Sequence, residues 1–338
     1  MAPTINWNEL EFTYMKTDCF VTVEFHDGKW GTPQVKTDVM VPLHIGATAL
    51  HYGQAAFEGL KAFSRKDGSI GLFRPMENQA RMAATARRLV MAPPTEEVFM
   101  ESIKLLIESN RAWIPPYGTG ASLYIRPLLI GTTARVGVKP AEDYLFAVLC
   151  MPVGPYYKDG FFPVRAYVQE QYDRAAPHGV GNVKASGNYA AGMLGDIDGK
   201  KKGYPICLYL DSATHSFIDE FGTSNFIGIT ADDTYITPAS DSVLPSITNS
   251  SLQQIARDFG LKVEQRLIPV SELPLLKEVG ACGTAAVITP VYSITRGETV
   301  YTFGNEQDAG ATLTRLFNEI QGIQYGEVDD RHGWMVAV

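Results

Sequence analysis

Lys184 lies in the stretch HGVGNVKASGNYAAGM, where glycines and small residues surround a single lysine just ahead of a predicted helix. A lysine in such a place can attack a carbonyl, provided that its amine is neutral. That requires a pKa well below the usual value of about 10.4, and each tenfold change in the proton equilibrium represents about 1.4 kcal/mol of environmental preference. Desolvation and neighbouring cations lower the amine in this way in lysines that form Schiff bases. Spacing alone leaves a second reading open, a solvated lysine in a flexible glycine loop.

Two further patterns suit an anionic ligand. Tyr124 and Arg126, in SLYIRP, stand two apart on a predicted strand, so their side chains leave the same face. Ile247 and Thr248 open a predicted helix after Leu244 and Pro245, so their backbone N–H groups can face an anion. The helix-terminus effect is on the order of 0.3–2 kcal/mol, and a phosphate therefore needs arginine and hydroxyl donors as well.

Other chemistries are set aside on spacing. In GVGNVKASGN, Gly179 and Gly181 begin a dinucleotide fingerprint, but Lys184 occupies the third glycine position. GDIDGK, from Gly195 to Lys200, is one residue short of a phosphate loop and lacks the following Ser or Thr. H-E-x-x-H, G-x-S-x-G and paired Cys/His ligands do not occur, so no metal site is expected. The six histidines are scattered and read as surface or structural residues. Cys19, Cys150, Cys207 and Cys282 lie far apart and read as buried free thiols.

The elements that must hold these residues follow from periodicity. Helices are expected over 75–91, with Pro75 in the first position, and over 95–113, with Thr95 as N-cap. ASLYIRPLLIG, DYLFAVLCM, PVRAYVQE, YPICLYLD and LKVEQRLIPV read as strands, and HSFIDEFGTSNFIGIT as a hairpin turning at Gly222. Further helices are expected over about 248–259 and 307–321. The Pro- and Gly-rich PVGPYYKDGFFP suggests a linker at 153–163 between domains at 1–152 and 164–338. Strands and helices mix in both halves, which predicts two α/β or α+β domains.

Bulk properties bound the partners. With 338 residues, 45% of them apolar and 20% charged, the chain can bury a large core without disulfides or metals. A net charge of −8 argues against a nucleic-acid partner, and any bound anion must be held by local donors. The opening MAPTINWNELEFTYMKTDCF has no apolar signal region, and no run is long enough to span a bilayer. A cytoplasmic location without a membrane partner is the expectation.

NVKASGNY resembles the lysine motif of fold-type IV pyridoxal-phosphate enzymes, and of the branched-chain amino acid aminotransferases in particular. HYGQAAFEGLKAF (51–63), LFRPMENQARM (72–82) and SLYIRPLLIGTT (122–133) are similar to motifs of the same family. So, in order, are DEFGTSNFI (219–227), VLPSITNSSL (243–252) and GTAAVITPV (283–291), and the resemblance covers most of the chain.

The resemblance implies a role for each matching position. Lys184 would be the Schiff-base lysine and would shuttle the proton between the substrate Cα and the cofactor C4′. Glu220 would pair with the pyridine nitrogen and keep it protonated, so that the ring can accept electrons. Tyr189 would hydrogen-bond the phenolic oxygen. Arg81, Ile247, Thr248 and Thr284 would hold the phosphate, although pattern alone does not rank Arg81 above Arg87 and Arg88. Tyr124 and Arg126 would receive the substrate carboxylate and the acidic co-substrate. Tyr52, Phe57 and, from the linker, Tyr156 would line the aliphatic pocket. Thr223, also near the cofactor, and Ala285 would complete the wall and offer backbone donors.

One departure stands out: Ala286 and Thr289 occupy the places where the mammalian branch carries a CxxC pair, which excludes a thiol switch there. The implied fold is a smaller N-terminal α/β domain and a larger C-terminal domain carrying the lysine, with the cofactor between them. The implied reaction is reversible transfer of the amino group of L-Leu, L-Ile or L-Val to 2-oxoglutarate by a ping-pong cycle, in a homodimer. A D-amino acid aminotransferase or aminodeoxychorismate lyase of the same fold is the nearer alternative, and FEGLKAF and YIRPLLIG weigh against it. A non-catalytic cofactor-binding regulator would not be expected to keep Lys184, Glu220, Tyr189 and Arg81 together.

Overall fold

A computed structural model describes residues 5–154 and 161–338. Part of the expected linker, Tyr156 included, lies outside the described residues. The chain packs as two compact units. One comprises Met1–Lys158, Val183–Gly187 and Gly322–Val338, and the other Asp159–Asn182 and Asn188–Gln321. The segment that carries Lys184 was expected in the C-terminal domain, and the structure groups it with the first unit. Backbone bonding explains this: Ala185 bridges Ala56, and the Phe57 N–H donates to the Lys184 carbonyl (3.3 Å). The Lys184 N–H in turn donates to Thr85 Oγ1 (3.0 Å). Five residues carry no periodicity from which such an allegiance could be read.

In the first unit, β1 (Phe20–His26), β2 (Lys29–Trp30), β3 (Gln34–Lys36), β4 (Ala55–Phe57) and β5 (Leu60–Ser64) precede β6 (Ile70–Phe73), β7 (Ser122–Gly131) and β8 (Tyr144–Val153). Met335–Ala337 adds a last strand on β6, and all pairings among these described strands are antiparallel. The central β7 and β8 are apolar nearly throughout, as strands covered on both faces must be. Short α1 (Thr48–Tyr52) precedes β4, and α2 (Pro75–Arg88) and α3 (Glu96–Ser109) pack Met82, Ala86, Phe99, Ile103 and Leu106 onto Leu72, Leu123, Ile125 and Phe146. Pro75 begins α2, and Thr95 caps α3 by accepting the Val98 N–H (3.1 Å), both as read from sequence. The first helix stops earlier than expected because Val90 takes a left-handed φ of 55°.

The second unit is built on β9 (Val164–Gln169), β10 (Ile206–Leu210), β11 (Ile218–Phe221), β12 (Ser224–Thr230), β13 (Tyr235–Pro238), β14 (Val263–Arg266), β15 (Leu276–Gly283), β16 (Val287–Arg296) and β17 (Thr299–Thr302). β11 pairs with both β10 and β12, so the order β11-β10-β9-β16-β15-β12 closes into a hydrogen-bonded ring. Closure removes exposed strand edges, and Ala166, Val168, Leu208, Phe226, Val279 and Ile294 belong to its core. The β11–β12 hairpin turns at Gly222, as expected.

Three further α-helices are α4 (Ser186–Lys201), α5 (Ile247–Asp258) and α6 (Ala311–Tyr325), and short 3-10 turns lie at Trp7–Glu9, Arg111–Trp113 and Val270–Leu275. α6 begins later than the predicted 307, because Gly310 turns the chain with φ +84°. The Glu278 carboxylate then accepts the Thr312 and Leu313 N–H groups (3.1 and 2.8 Å). Its capping group thus comes from β15, where no local motif could announce it. The four cysteines are buried and unpaired with one another, as read.

α4 approaches its sheet through glycine. A Cβ at Gly199 would lie 2.3 Å from Cys207 Sγ, whereas one at Gly192 meets nothing within 4 Å. Gly199→Ala is therefore expected to lower stability by about 1–3 kcal/mol through overpacking. Gly192→Ala is expected to be neutral or to add up to about 1 kcal/mol of helix preference. Thermal melts of the two variants side by side check the difference.

Candidate active site

In the first unit the structure brings Lys184, Phe57, Arg81, Tyr124 and Arg126 together. The Lys184 Nζ lies 4.8 Å from the centre of the Phe57 ring, and the Arg126 guanidinium lies 4.6 Å from the same ring. Arg126 also donates to the Tyr124 hydroxyl from Nε (3.2 Å) and Nη2 (2.9 Å), since both side chains leave one face of β7. Gly59 gives that hydroxyl room, because a Cβ there would lie 2.3 Å from it. Burial first, and then the nearby Arg81 cation, push the Lys184 amine down to about 8; Glu58 and Tyr124 oppose them. The neutral amine required by the sequence reading is thus accessible near physiological pH.

Arg81 is singled out from the other arginines of α2. Its Nε and Nη2 donate to the two oxygens of Glu58 (2.7 and 2.8 Å), while Arg87 and Arg88 are exposed. Glu58 is completely buried and also accepts from Asn78 Nδ2 (2.8 Å) and the Gly59 N–H (3.2 Å). Burial raises the pKa of this carboxyl, but the charges of Arg81 and Lys184 and the hydrogen bonds outweigh it and leave the group below its ordinary value. Thr85 Oγ1 accepts the Lys184 N–H and donates to the Arg81 carbonyl (2.9 Å), so one hydroxyl ties the lysine backbone to this turn of α2.

In the second unit Glu220 is buried on β11. It accepts from Arg174 (2.7 Å), Asn225 Nδ2 (2.6 Å) and the Leu244 N–H (3.2 Å). Asn225 is steadied by Asn249, which also donates to Thr237 Oγ1 (2.8 Å) and accepts from the Tyr235 hydroxyl (2.7 Å). The result is a buried carboxylate fixed by a polar network. At the start of α5, Ser246 Oγ takes the Asn249 N–H (3.1 Å), which leaves the N–H groups of Ile247 and Thr248 to other acceptors. Thr284 and Ala285 occupy the half-buried turn between β15 and β16, Tyr189 is half-buried on α4, and Thr223 is exposed at the β11–β12 turn.

Tyr52 stands apart from the Lys184 cluster: it is exposed at the end of α1, and its hydroxyl donates to the Val136 carbonyl. Tyr156 lies outside the described residues. The sequence reading missed Glu58, Asn78, Thr85, Arg174, Asn225 and Asn249. Glu58 and Asn225 had a visible signal, as polar residues that open or interrupt the apolar FEGL and NFIGI. Nothing near Arg174 announces a partner 46 residues ahead.

Pyridoxal phosphate presents an aldehyde, a basic ring nitrogen and a dianionic phosphate, and the residues present fit that set. The Lys184 amine can be neutral, Glu220 is held as a buried acceptor, and arginine, hydroxyl and helix N–H donors are available to an anion.

Comparisons with known proteins agree with this chemistry. Residues 55–294 match the family described as amino-transferase class IV. The chain is 45% identical to a branched-chain-amino-acid aminotransferase of Haemophilus influenzae, across 99% of both chains. It is 43% identical to one from Helicobacter pylori, across 99% of this chain and 98% of that one. Among solved structures, the Escherichia coli branched-chain amino acid aminotransferase superposes with a TM-score of 0.78 at 25% identity, over 95% of this chain and 99% of that one. The Thermobaculum terrenum branched-chain aminotransferase in its PLP form has the same fold, with a TM-score of 0.78 at 19% identity over 95% of this chain and 99% of that one. A lysine made acidic enough to lose its proton near pH 8 and a full-length match to these enzymes lead to one conclusion: the chain belongs to the class IV aminotransferase family, among its branched-chain-amino-acid aminotransferases.

Proposed function

We propose that the protein transfers the amino group of L-leucine, L-isoleucine or L-valine to 2-oxoglutarate, reversibly, giving the branched-chain 2-oxo acid and L-glutamate by a ping-pong cycle with pyridoxal phosphate. The observation that carries this reading is the lowered Lys184 amine, set against an apolar ring beside the Tyr124–Arg126 pair. When bound, the cofactor supplies a carbonyl that exchanges with amino groups and a ring that accepts an electron pair.

The chain's own residues do the rest. Neutral Lys184 would hold the cofactor carbonyl and, once displaced by the substrate's amino group, would move a proton between the substrate Cα and the cofactor C4′. Glu220, fixed by Arg174 and Asn225, would pair with the protonated ring nitrogen. Tyr189 donates to the phenolic oxygen. Arg81 in the first unit and, in the second, Thr284, Thr223 and the N–H groups of Ile247 and Thr248 are the donors that the resemblance assigns to the phosphate. Phe57 supplies the apolar wall beside the Lys184 amine. Arg126, oriented by the Tyr124 hydroxyl, receives a carboxylate, which lets one pocket accept both leucine and glutamate.

We further infer a cytoplasmic homodimer. Ile45, Leu50, Val136 and Val138 of the first unit are 79%, 57%, 78% and 84% exposed, and the Tyr52–Val136 hydrogen bond joins their two segments. Apolar surface of this kind marks an interface, and a second copy is the simplest occupant. Among the described residues no helix is long and apolar enough to cross a membrane.

Three outcomes are expected. First, ligand-free protein should take up pyridoxal phosphate at a rate that rises with pH and is half-maximal near 8, and Lys184→Ala should take up none covalently; a midpoint near 10 would contradict the assignment. The lowered lysine also means that the unfolded chain binds more protons between about 8 and 10.5, so Lys184 makes stability rise with pH across that window. Second, Arg126→Met should raise KM for 2-oxoglutarate at least about tenfold while changing KM for L-leucine much less, as steady-state assays of both half-reactions would show. L-leucine should be a donor and D-alanine should not. Third, Leu50→Asp should shift the protein from dimer to monomer in sedimentation velocity.

A further inference from the structure

Glu58 lies between the pocket residue Phe57 and the glycine that makes room for Tyr124, yet its carboxylate turns toward α2. Each of its oxygens takes one nitrogen of the Arg81 guanidinium, at 2.7 and 2.8 Å, which is the parallel fork that arginine and carboxylate make best. Asn78, one helical turn before Arg81 and on the same face of α2, donates to the same carboxylate and to the Gly59 carbonyl (3.2 Å). The Glu58 backbone is fixed in turn, because its N–H donates to the Pro127 carbonyl of β7 (2.8 Å).

A buried anion beside a phosphate-binding arginine is electrostatically costly, since it repels the ligand that the arginine is there to hold. Its presence needs a compensating effect. The fork supplies one, because a guanidinium anchored through two nitrogens has one plane and one direction in which to offer the remainder.

We propose that Glu58 is the positioning residue for Arg81: it fixes the guanidinium so that a phosphate ester docks against an already oriented cation. Glu58 also moderates the field at Lys184. Arg81 lowers the amine and Glu58 raises it, so the pair holds the amine higher than Arg81 alone would. This inference rests on the reading of Arg81 as a phosphate donor, and the experiment separates the two.

Dissociation constants for pyridoxal phosphate and for pyridoxal, which lacks the phosphate, are measured on ligand-free wild type, Arg81→Gln, Glu58→Gln, the double variant and Glu58→Asp. Arg81→Gln is expected to weaken pyridoxal phosphate by about thirtyfold or more and pyridoxal by less than about twofold. Glu58→Gln is expected to weaken pyridoxal phosphate about tenfold, to spare pyridoxal, and to add little in the double variant, as coupled residues do. It should also move the pH midpoint of Lys184 below about 8, a change that a merely structural role would not produce. Glu58→Asp keeps the charge and shortens the reach; it should weaken phosphate binding while leaving that midpoint in place, and it serves where Glu58→Gln does not fold.

If Glu58→Gln or Glu58→Asp weakens both ligands alike, adds its full effect to Arg81→Gln, or tightens pyridoxal phosphate, the positioning role is overturned while the reading of Arg81 stands. If Arg81→Gln does not itself distinguish the two ligands, both ideas fall.

Discussion

A charge taken out of water must be met by another charge or by hydrogen bonds, and in each unit of this protein one buried carboxylate is met by an arginine. Glu58 with Arg81 and Glu220 with Arg174 are both enclosed, and an unpaired partner in either would carry a penalty of several kcal/mol. Pairing therefore constrains the surroundings. α2 must present Asn78 and Arg81 to one strand junction, and the β11–β12 hairpin must face Asn225 toward the loop that precedes α5. Much of the local architecture follows from keeping these two pairs together.

The same constraint reconciles an acidic chain with an anionic cofactor. A net charge of −8 does nothing to draw in a phosphate from a distance. What matters is a few donors placed where solvent does not screen them. The cations that would hold the ligand also act on Lys184, so binding and activation share their charges. Arg81 helps remove the proton from the lysine, and the carboxylate beside Arg81 limits how far that effect runs.

What could be read from the sequence was what neighbouring residues decide. Pro75, Thr95 and the turn at Gly222 act over three or four positions, and the structure places them as read. The alternation on β7 put Tyr124 and Arg126 on one face, and the Tyr124–Arg126 hydrogen bonds follow from it. Residues whose partners are remote stayed hidden. Arg81 could not be ranked above Arg87 and Arg88 until Glu58 was seen beside it, and Arg174 had no local mark at all. The allegiance of Val183–Gly187 to the first unit, and the capping of α6 from β15, are likewise long-range facts that no window of sequence contains.

The strand Met335–Ala337 has a consequence for biosynthesis. It pairs with β6, which leaves the ribosome long before it. At roughly 5–20 residues per second, the β6 edge waits on the order of tens of seconds for its neighbour. During that interval the nascent first unit exposes an open strand edge, the kind of surface on which chains pair with one another wrongly. Vectorial synthesis thus makes the sheet of the first unit, most of whose strands emerge before the second unit, the one completed after it.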